Sequence, residues 1–290
     1  MTSARETPRY QALIGVVQLW RPINIVLSLA GVVIGAFLGA GPMAFSRPHL
    51  GSVILAAFSA ASVTAAANAI NDAFDVKVDR VNRPTRPIPA GKITERAATY
   101  TWLFGAILGI GLSLLLSATH VLIASAAIVV VYLYSAVLKR AGFIGNFAVS
   151  AIVASSIVYG ALATGYIGKA WIGSVLAFLL TLAREITKDL EDVEGDIQEG
   201  ANTLPVSIGH RKTSLFAVAL IVVTIVAAPM PFLFFSFERL YLLGIAVTNF
   251  CLLSAIWYLW VADERKETYG KASFMLKSAM VAGLGALLLA

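Results

Sequence analysis

The stretch Asn68-Ala-Ile-Asn71-Asp72-Ala-Phe-Asp75-Val-Lys77-Val-Asp79 sets an acidic run at the foot of a long apolar segment. At roughly 100° per residue, Asn68, Asp72, Asp75 and Asp79 fall within about 60° of one another on a helix, so one face carries three carboxylates and an amide. Beside a hydrocarbon layer, like charges packed so closely repel unless a cation stands between them. A second stretch, Glu185-Ile-Thr-Lys188-Asp189-Leu-Glu191-Asp192-Val-Glu194-Gly195-Asp196, repeats the spacing, with Glu185 where Asn68 stands in the first. Gly195 is a candidate helix end, which would put Asp196 on the following loop.

Working outward, 59% of the 290 residues are hydrophobic and 13% are charged, which excludes a soluble globular domain. The length would allow two soluble domains, but the apolar segments follow one another with short joints, so residues 1–290 read as a single membrane domain. Its fold class is all-α, a polytopic bundle with nine expected spans at 17–40, 51–74, 100–117, 121–138, 143–163, 171–186, 215–237, 240–262 and 274–290. The polar first ten residues do not read as a cleaved signal peptide. The single Cys251 excludes an intramolecular disulfide and reads as a small buried apolar residue.

With the N-terminus in the cytosol, all of the 22 basic residues except Arg47, Lys169 and Arg239 fall on the inner side. That bias identifies a multi-pass protein of the cell membrane and accounts for the net charge of +6 without nucleic acid. The second and sixth spans run the same way, so both acidic faces emerge on the cytosolic side and can converge.

Between the first acidic face and the third span lies Arg80-Val-Asn82-Arg83-Pro84-Thr-Arg86-Pro87-Ile-Pro89-Ala-Gly91-Lys92. Three prolines and a glycine forbid a regular helix, leaving a stiff loop that carries cations beside carboxylates. Thr94 reads as the N-cap of the next helix, residues 200–212 as a second loop, and Arg21-Pro22 as the opening of the first span.

Ionisable clusters at a membrane helix end mark functional sites, although a structural salt-bridge network is an alternative. Hard oxygen ligands without His or Cys favour Mg²⁺, Mn²⁺ or Ca²⁺ over zinc. Mg²⁺ takes few carboxylates and completes its shell with phosphate oxygens, so cations next to anions suit a metal-bound diphosphate. In a lipid-embedded cavity this suggests an isoprenoid diphosphate with its tail among the helices. A cation-coupled transporter is the rival from another class, but it calls for charges at the bilayer midplane rather than at span ends.

The Asn71-Asp72-x-x-Asp75-x-x-x-Asp79 motif, the Arg83-Pro84-x-Arg86-Pro87-x-Pro89-x-Gly91 loop and Lys188-Asp189-x-x-Asp192-x-Glu194-Gly195-Asp196 together resemble the UbiA superfamily of membrane prenyltransferases. The resemblance covers essentially the whole chain. It implies that Mg²⁺ is held by Asp72, Asp75 and Asp79 on one side and by Asp189, Asp192 and Asp196 on the other, with Asn68 and Asn71 as further polar groups. It also implies that Lys188, Arg83, Arg86, Lys139 and Arg140 meet phosphate. Lys77 could equally be a surface lysine. The form of the second motif is most like the archaeal members that join a second geranylgeranyl chain to geranylgeranylglyceryl phosphate. An aromatic acceptor such as 4-hydroxybenzoate is the alternative, and oligomeric state is left open. Tyr132, Tyr134, Tyr159 and Tyr166 read as packing or cavity lining, and His49, His120 and His210 as isolated loop residues.

Overall fold

The computed structural model describes residues 9–198 and 200–290, and every regular element among them is helical. The first expected span is split. Helix α1 covers Arg9–Trp20 and α2 covers Pro22–Ala40, with Arg21 between them at φ 49° and ψ 76°. Pro22 has no N–H and crowds the residue before it out of the helical region, so the helix must restart there.

Helix α3, Arg47–Phe74, carries the first acidic face down to Asp75, where the helix breaks before α4, Val76–Asn82. The expectation of one unbroken helix from 68 to 79 is therefore corrected, but the stripe survives. The Asp75 N–H donates to Asn71 O at 2.9 Å and the Asp79 N–H to Asp75 O at 2.8 Å, so helical bonding runs almost through the break.

The proline loop folds back in turns, with the Lys92 N–H donating to Pro87 O at 2.9 Å. Thr94 Oγ1 accepts from the Ala97 N–H at 3.1 Å, capping α5, Glu95–Leu114, as expected but several residues ahead of the anticipated span start. There follow α6, Ala118–Ala136; a 3₁₀ turn at Leu138–Arg140; and α7, Phe143–Leu162. Helix α8 runs from Ala170–Gln198, straight through Gly195, because Asp196 and Thr203 tie the end of the helix to the next segment. Asp196 is thus on the helical stripe and not on a loop. The segment 200–212 is also less irregular than expected, since it contains α9, Leu204–Ile208, and the first turn of α10, His210–Ala227. Short α11, Met230–Phe234, leads to α12, Arg239–Trp260, and α13, Lys266–Leu287. His120 is not a loop residue: it lies buried in the first turn of α6, bonded to Ser117 Oγ at 2.7 Å and to the Tyr159 carbonyl at 3.2 Å.

The protein is a multi-pass membrane protein. Eight helical segments are long and apolar enough to cross a bilayer; α13, the ninth long helix among the described residues, falls short of that apolarity because it carries several charges. Side chains such as Phe58, Phe104, Phe250 and Trp257 point outward, an arrangement suited to lipid rather than water. One core joins α8, α10, α12 and α13 around Ile186, Leu190, Ile221, Leu252 and Leu276. A second joins α2, α7 and α12 around Ile34, Ile157 and Tyr241, whose hydroxyl donates to Ala228 O at 2.6 Å.

Helices α2 and α7 cross at backbone contact. A Cβ on Gly35 would run into the Ile157 carbonyl, and one on Gly160 into the Val32 carbonyl. Neither neighbour is a movable side-chain end, so Gly160→Leu should lower the thermal unfolding midpoint in detergent markedly, with a cost of about 3 kcal/mol or more. Gly111→Leu, on the exposed side of α5 with no atom within 4 Å, should leave that midpoint unchanged.

Candidate active site

The lower ends of α3, α4 and α8 bring the two acidic stripes together. Arg83, the first residue after α4, donates from Nη2 to both oxygens of Asp192 on α8, at 3.3 and 3.2 Å. The proline loop places Arg86 under the first stripe, where its Nη1 reaches Asp72 at 3.3 Å and also bonds Asp79. Arg21 pairs with Asp72 from the break between α1 and α2. Lys139, from the 3₁₀ turn before α7, donates to Asp75 Oδ1 at 2.7 Å, and Asn71 Nδ2 donates to Asp75 Oδ2 at 3.1 Å. On α8, Asp189 accepts from Asn146 Nδ2 at 2.7 Å and Asp196 from Thr203 Oγ1 at 3.0 Å. Glu185 accepts from Arg184 Nη1 at 2.7 Å, with Lys188 Nζ at 3.9 Å.

Asp72, Asp75 and Asp79 are nearly sealed from solvent. Burial pushes the Asp79 carboxyl above its ordinary range, Arg86 pulls it back, and Asp75 and Asp72 raise it further. The cations around the stripe are thus what makes a dense set of carboxylates tolerable at this depth.

Asp75, Asp79, Asp192 and Asp196 open onto one narrow cleft, together with Arg83, Arg86, Lys139 and Lys188. Arg83, Arg86, Lys188 and Asn71 also line a larger cavity of about 680 Å³. That cavity extends between α2, α7, α8, α12 and α13, where Ile157, Leu180, Ile245 and Leu284 make its walls apolar. It has the size and make-up of a ligand site with a charged mouth and an oily interior.

The donor set fits Mg²⁺. It is all oxygen, and it is divided between two helices. Asp75, Asp79, Asp192 and Asp196 line the cleft with basic side chains among them, which suits an ion that takes one or two carboxylates and leaves its other positions to water and phosphate oxygens.

Of the residues expected from the sequence, Asn71, Asp75, Asp79, Asp192, Asp196, Arg83, Arg86, Lys139 and Lys188 meet at the cleft. Asp72 lies beside it, joined through Arg86, and Asp189 is held by Asn146. Asn68 lines the larger cavity, but both ends of its amide are in use: Nδ2 donates to Trp20 O at 2.8 Å, and Oδ1 accepts from Asn24 at 3.1 Å. It braces the α1–α2 break. Arg140 is not brought in, because its turn presents it to the exterior. Lys77 is likewise exposed. Sequence reasoning gave no site role to Arg21, Asn146, Thr203, Arg184 or Lys277. A lone amide within the fifth span and a lone lysine within the ninth were available signals, since a polar side chain inside a span needs a reason.

The model of the UbiA prenyltransferase family matches residues 25–279. A digeranylgeranylglyceryl phosphate synthase of Thermococcus gammatolerans is 36% identical over 275 residues, spanning 94% of this chain and 97% of that one. A solved structure from work on the digeranylgeranylglyceryl phosphate synthase in membranes superposes with a TM-score of 0.74 at 32% identity, covering 96% and 97% of the two chains. A UbiA homologue from Archaeoglobus fulgidus, bound to DMAPP and Mg²⁺, shares the fold with a TM-score of 0.65 at 20% identity, covering 94% of this chain and 98% of that one.

Because Arg86 serves two buried carboxylates, Arg86→Gln should lower the unfolding midpoint in detergent by the equivalent of about 3 kcal/mol. The double variant Arg86→Gln with Asp79→Asn should recover part of that loss, which a thermal melt followed by size-exclusion chromatography would read.

Proposed function

The chain belongs to the UbiA prenyltransferase family and is a prenyltransferase, and we propose that it moves a geranylgeranyl group from its diphosphate to the free hydroxyl of geranylgeranylglyceryl phosphate, a step of ether-lipid synthesis. The observation that carries this reading is the cleft itself: carboxylates from two helices, interleaved with Arg83, Arg86, Lys139 and Lys188, at the mouth of an apolar cavity. The names of the relatives support the choice of acceptor. Mg²⁺ bound to the A. fulgidus homologue supports the choice of ion.

The stripe of Asp72, Asp75 and Asp79 would supply one or two carboxylates to one Mg²⁺ and that of Asp189, Asp192 and Asp196 one or two to the other, with Asn71 as an additional oxygen donor. When bound, the ions supply Lewis acidity and offset the charge of the diphosphate. Arg83, Arg86, Lys139 and Lys188 hold the phosphate oxygens and stabilise the charge that develops as the allylic C–O bond breaks. The apolar walls seat the prenyl tail and keep water from the allylic cation. The acceptor hydroxyl then forms the new C–O bond, and its proton leaves with the diphosphate. The basic residues flanking the mouth support a cytosolic orientation of the site.

Purified protein in detergent, given Mg²⁺ and radiolabelled geranylgeranyl diphosphate, should transfer label to geranylgeranylglyceryl phosphate and not to 4-hydroxybenzoate, and chelation should stop transfer. Label on the benzoate alone would overturn the acceptor. Asp72→Asn and Asp189→Asn should each cut turnover by on the order of 10³-fold while the protein stays folded. Near-normal turnover in either variant would overturn the division of metal ligands.

A further inference from the structure

The cavity wall holds a second group of cations that the diphosphate cleft does not use. Arg184 on α8 and Lys277 on α13 line the large cavity but not the narrow cleft. Arg184 spends one terminal nitrogen on Glu185, while its Nε is buried with no partner. Among the described residues no ion pair or hydrogen bond engages Lys277, and Arg184 and Arg21 line the same cavity. Holding like charges together over a cavity has no benefit for the bundle alone. Gly270, Ser273, Phe274, Lys277, Leu284 and Leu287 form one face of α13, so the lysine sits on the wall of the cavity and not among lipids.

The two regions differ in chemistry. The narrow cleft mixes cations with four Asp side chains, the setting for an anion that arrives with metal ions. Arg184, Lys188 and Lys277 line the cavity without an Asp partner, against two carboxylates, Glu185, already paired, and Glu191, nearly two turns further along α8, so one positive charge is left over. That setting suits an anion binding without a metal. Lys188 lines both regions, which sets a metal-free anion beside the diphosphate.

We propose that Arg184 and Lys277 form a separate subsite for the phosphate monoester of the acceptor, holding it so that its glycerol hydroxyl faces the reacting carbon of the prenyl donor. The subsite rests on the acceptor reading given above and makes these two side chains determinants of specificity for a phosphorylated acceptor.

The test compares geranylgeranylglyceryl phosphate with its dephosphorylated alcohol as acceptor, using wild type, Lys277→Gln, Arg184→Gln and Lys277→Arg with Mg²⁺ and geranylgeranyl diphosphate. Losing one charged contact to phosphate should raise the KM for the phosphorylated acceptor ten- to a hundredfold in either Gln variant. The KM for geranylgeranyl diphosphate should stay within about twofold, and the preference for the phosphorylated acceptor over the alcohol should collapse; Lys277→Arg should restore it. An unchanged acceptor KM, or an equal rise in both KM values, would overturn the subsite while leaving the acceptor reading intact. Failure of the wild type itself to use the phosphorylated acceptor would overturn both.

Discussion

The structure depends on one electrostatic constraint: carboxylates buried at the edge of a hydrocarbon layer must be matched by positive charge. Asp72, Asp75 and Asp79 are nearly inaccessible, and each is met by a cation drawn from a different part of the chain, the α1–α2 break, the proline loop or the turn before α7. Asp192 is met in the same way by Arg83. The cations that would hold phosphate are thus bound to the carboxylates that would hold metal. A divalent ion alone meets carboxylates already paired, and a diphosphate alone meets guanidinium groups already paired. Were the two to arrive together, each would take the partner the other releases, which would make their binding mutually dependent.

The irregular features of the fold serve that arrangement. Arg21 occupies a left-handed conformation at the residue where Pro22 forces the helix to restart, and its side chain lands on Asp72. The break at Asp75 costs little helical bonding and keeps Asp79 on the stripe. The proline loop is stiff, so Arg83 and Arg86 are held under the acids without a long search among conformers. Further into the bundle, the close crossing of α2 and α7 draws two walls of the apolar cavity together.

Much of this was legible in the sequence because helical periodicity is a local property. The acidic stripes, the apolar segments, the Thr94 cap and the loop enforced by Pro84, Pro87 and Pro89 are all decided by residues within a few positions of one another. The pairing of Arg83 with Asp192 could be anticipated only as a convergence of two motifs, since it joins residues 109 apart. Partners brought together by tertiary packing alone were not legible, even where a polar residue inside a span was itself a signal: Asn146 to Asp189 and Arg21 to Asp72. Arg140 shows the converse failure. It shares a turn with Lys139 but points the other way, which spacing along a three-residue 3₁₀ turn does not reveal. Gly195 misled for a related reason, because a glycine ends a helix only if the chain has somewhere else to go, and here Thr203 holds the helix end in place.

Helix α13 carries a consequence for biogenesis. It supplies a wall of the cavity, yet it is the one long helix among those described that is not apolar enough to be read as a span, since Lys277 lies on its inner face. A lysine near the middle of an isolated helix resists transfer into lipid by a few kcal/mol. Following the other helices off the ribosome, α13 has α12 and α8 to dock against, and Gly244 on α12 lets Ala286 come close. Its insertion is therefore an act of assembly and not of partitioning, and the cavity takes its final shape only after the rest of the bundle is in the membrane.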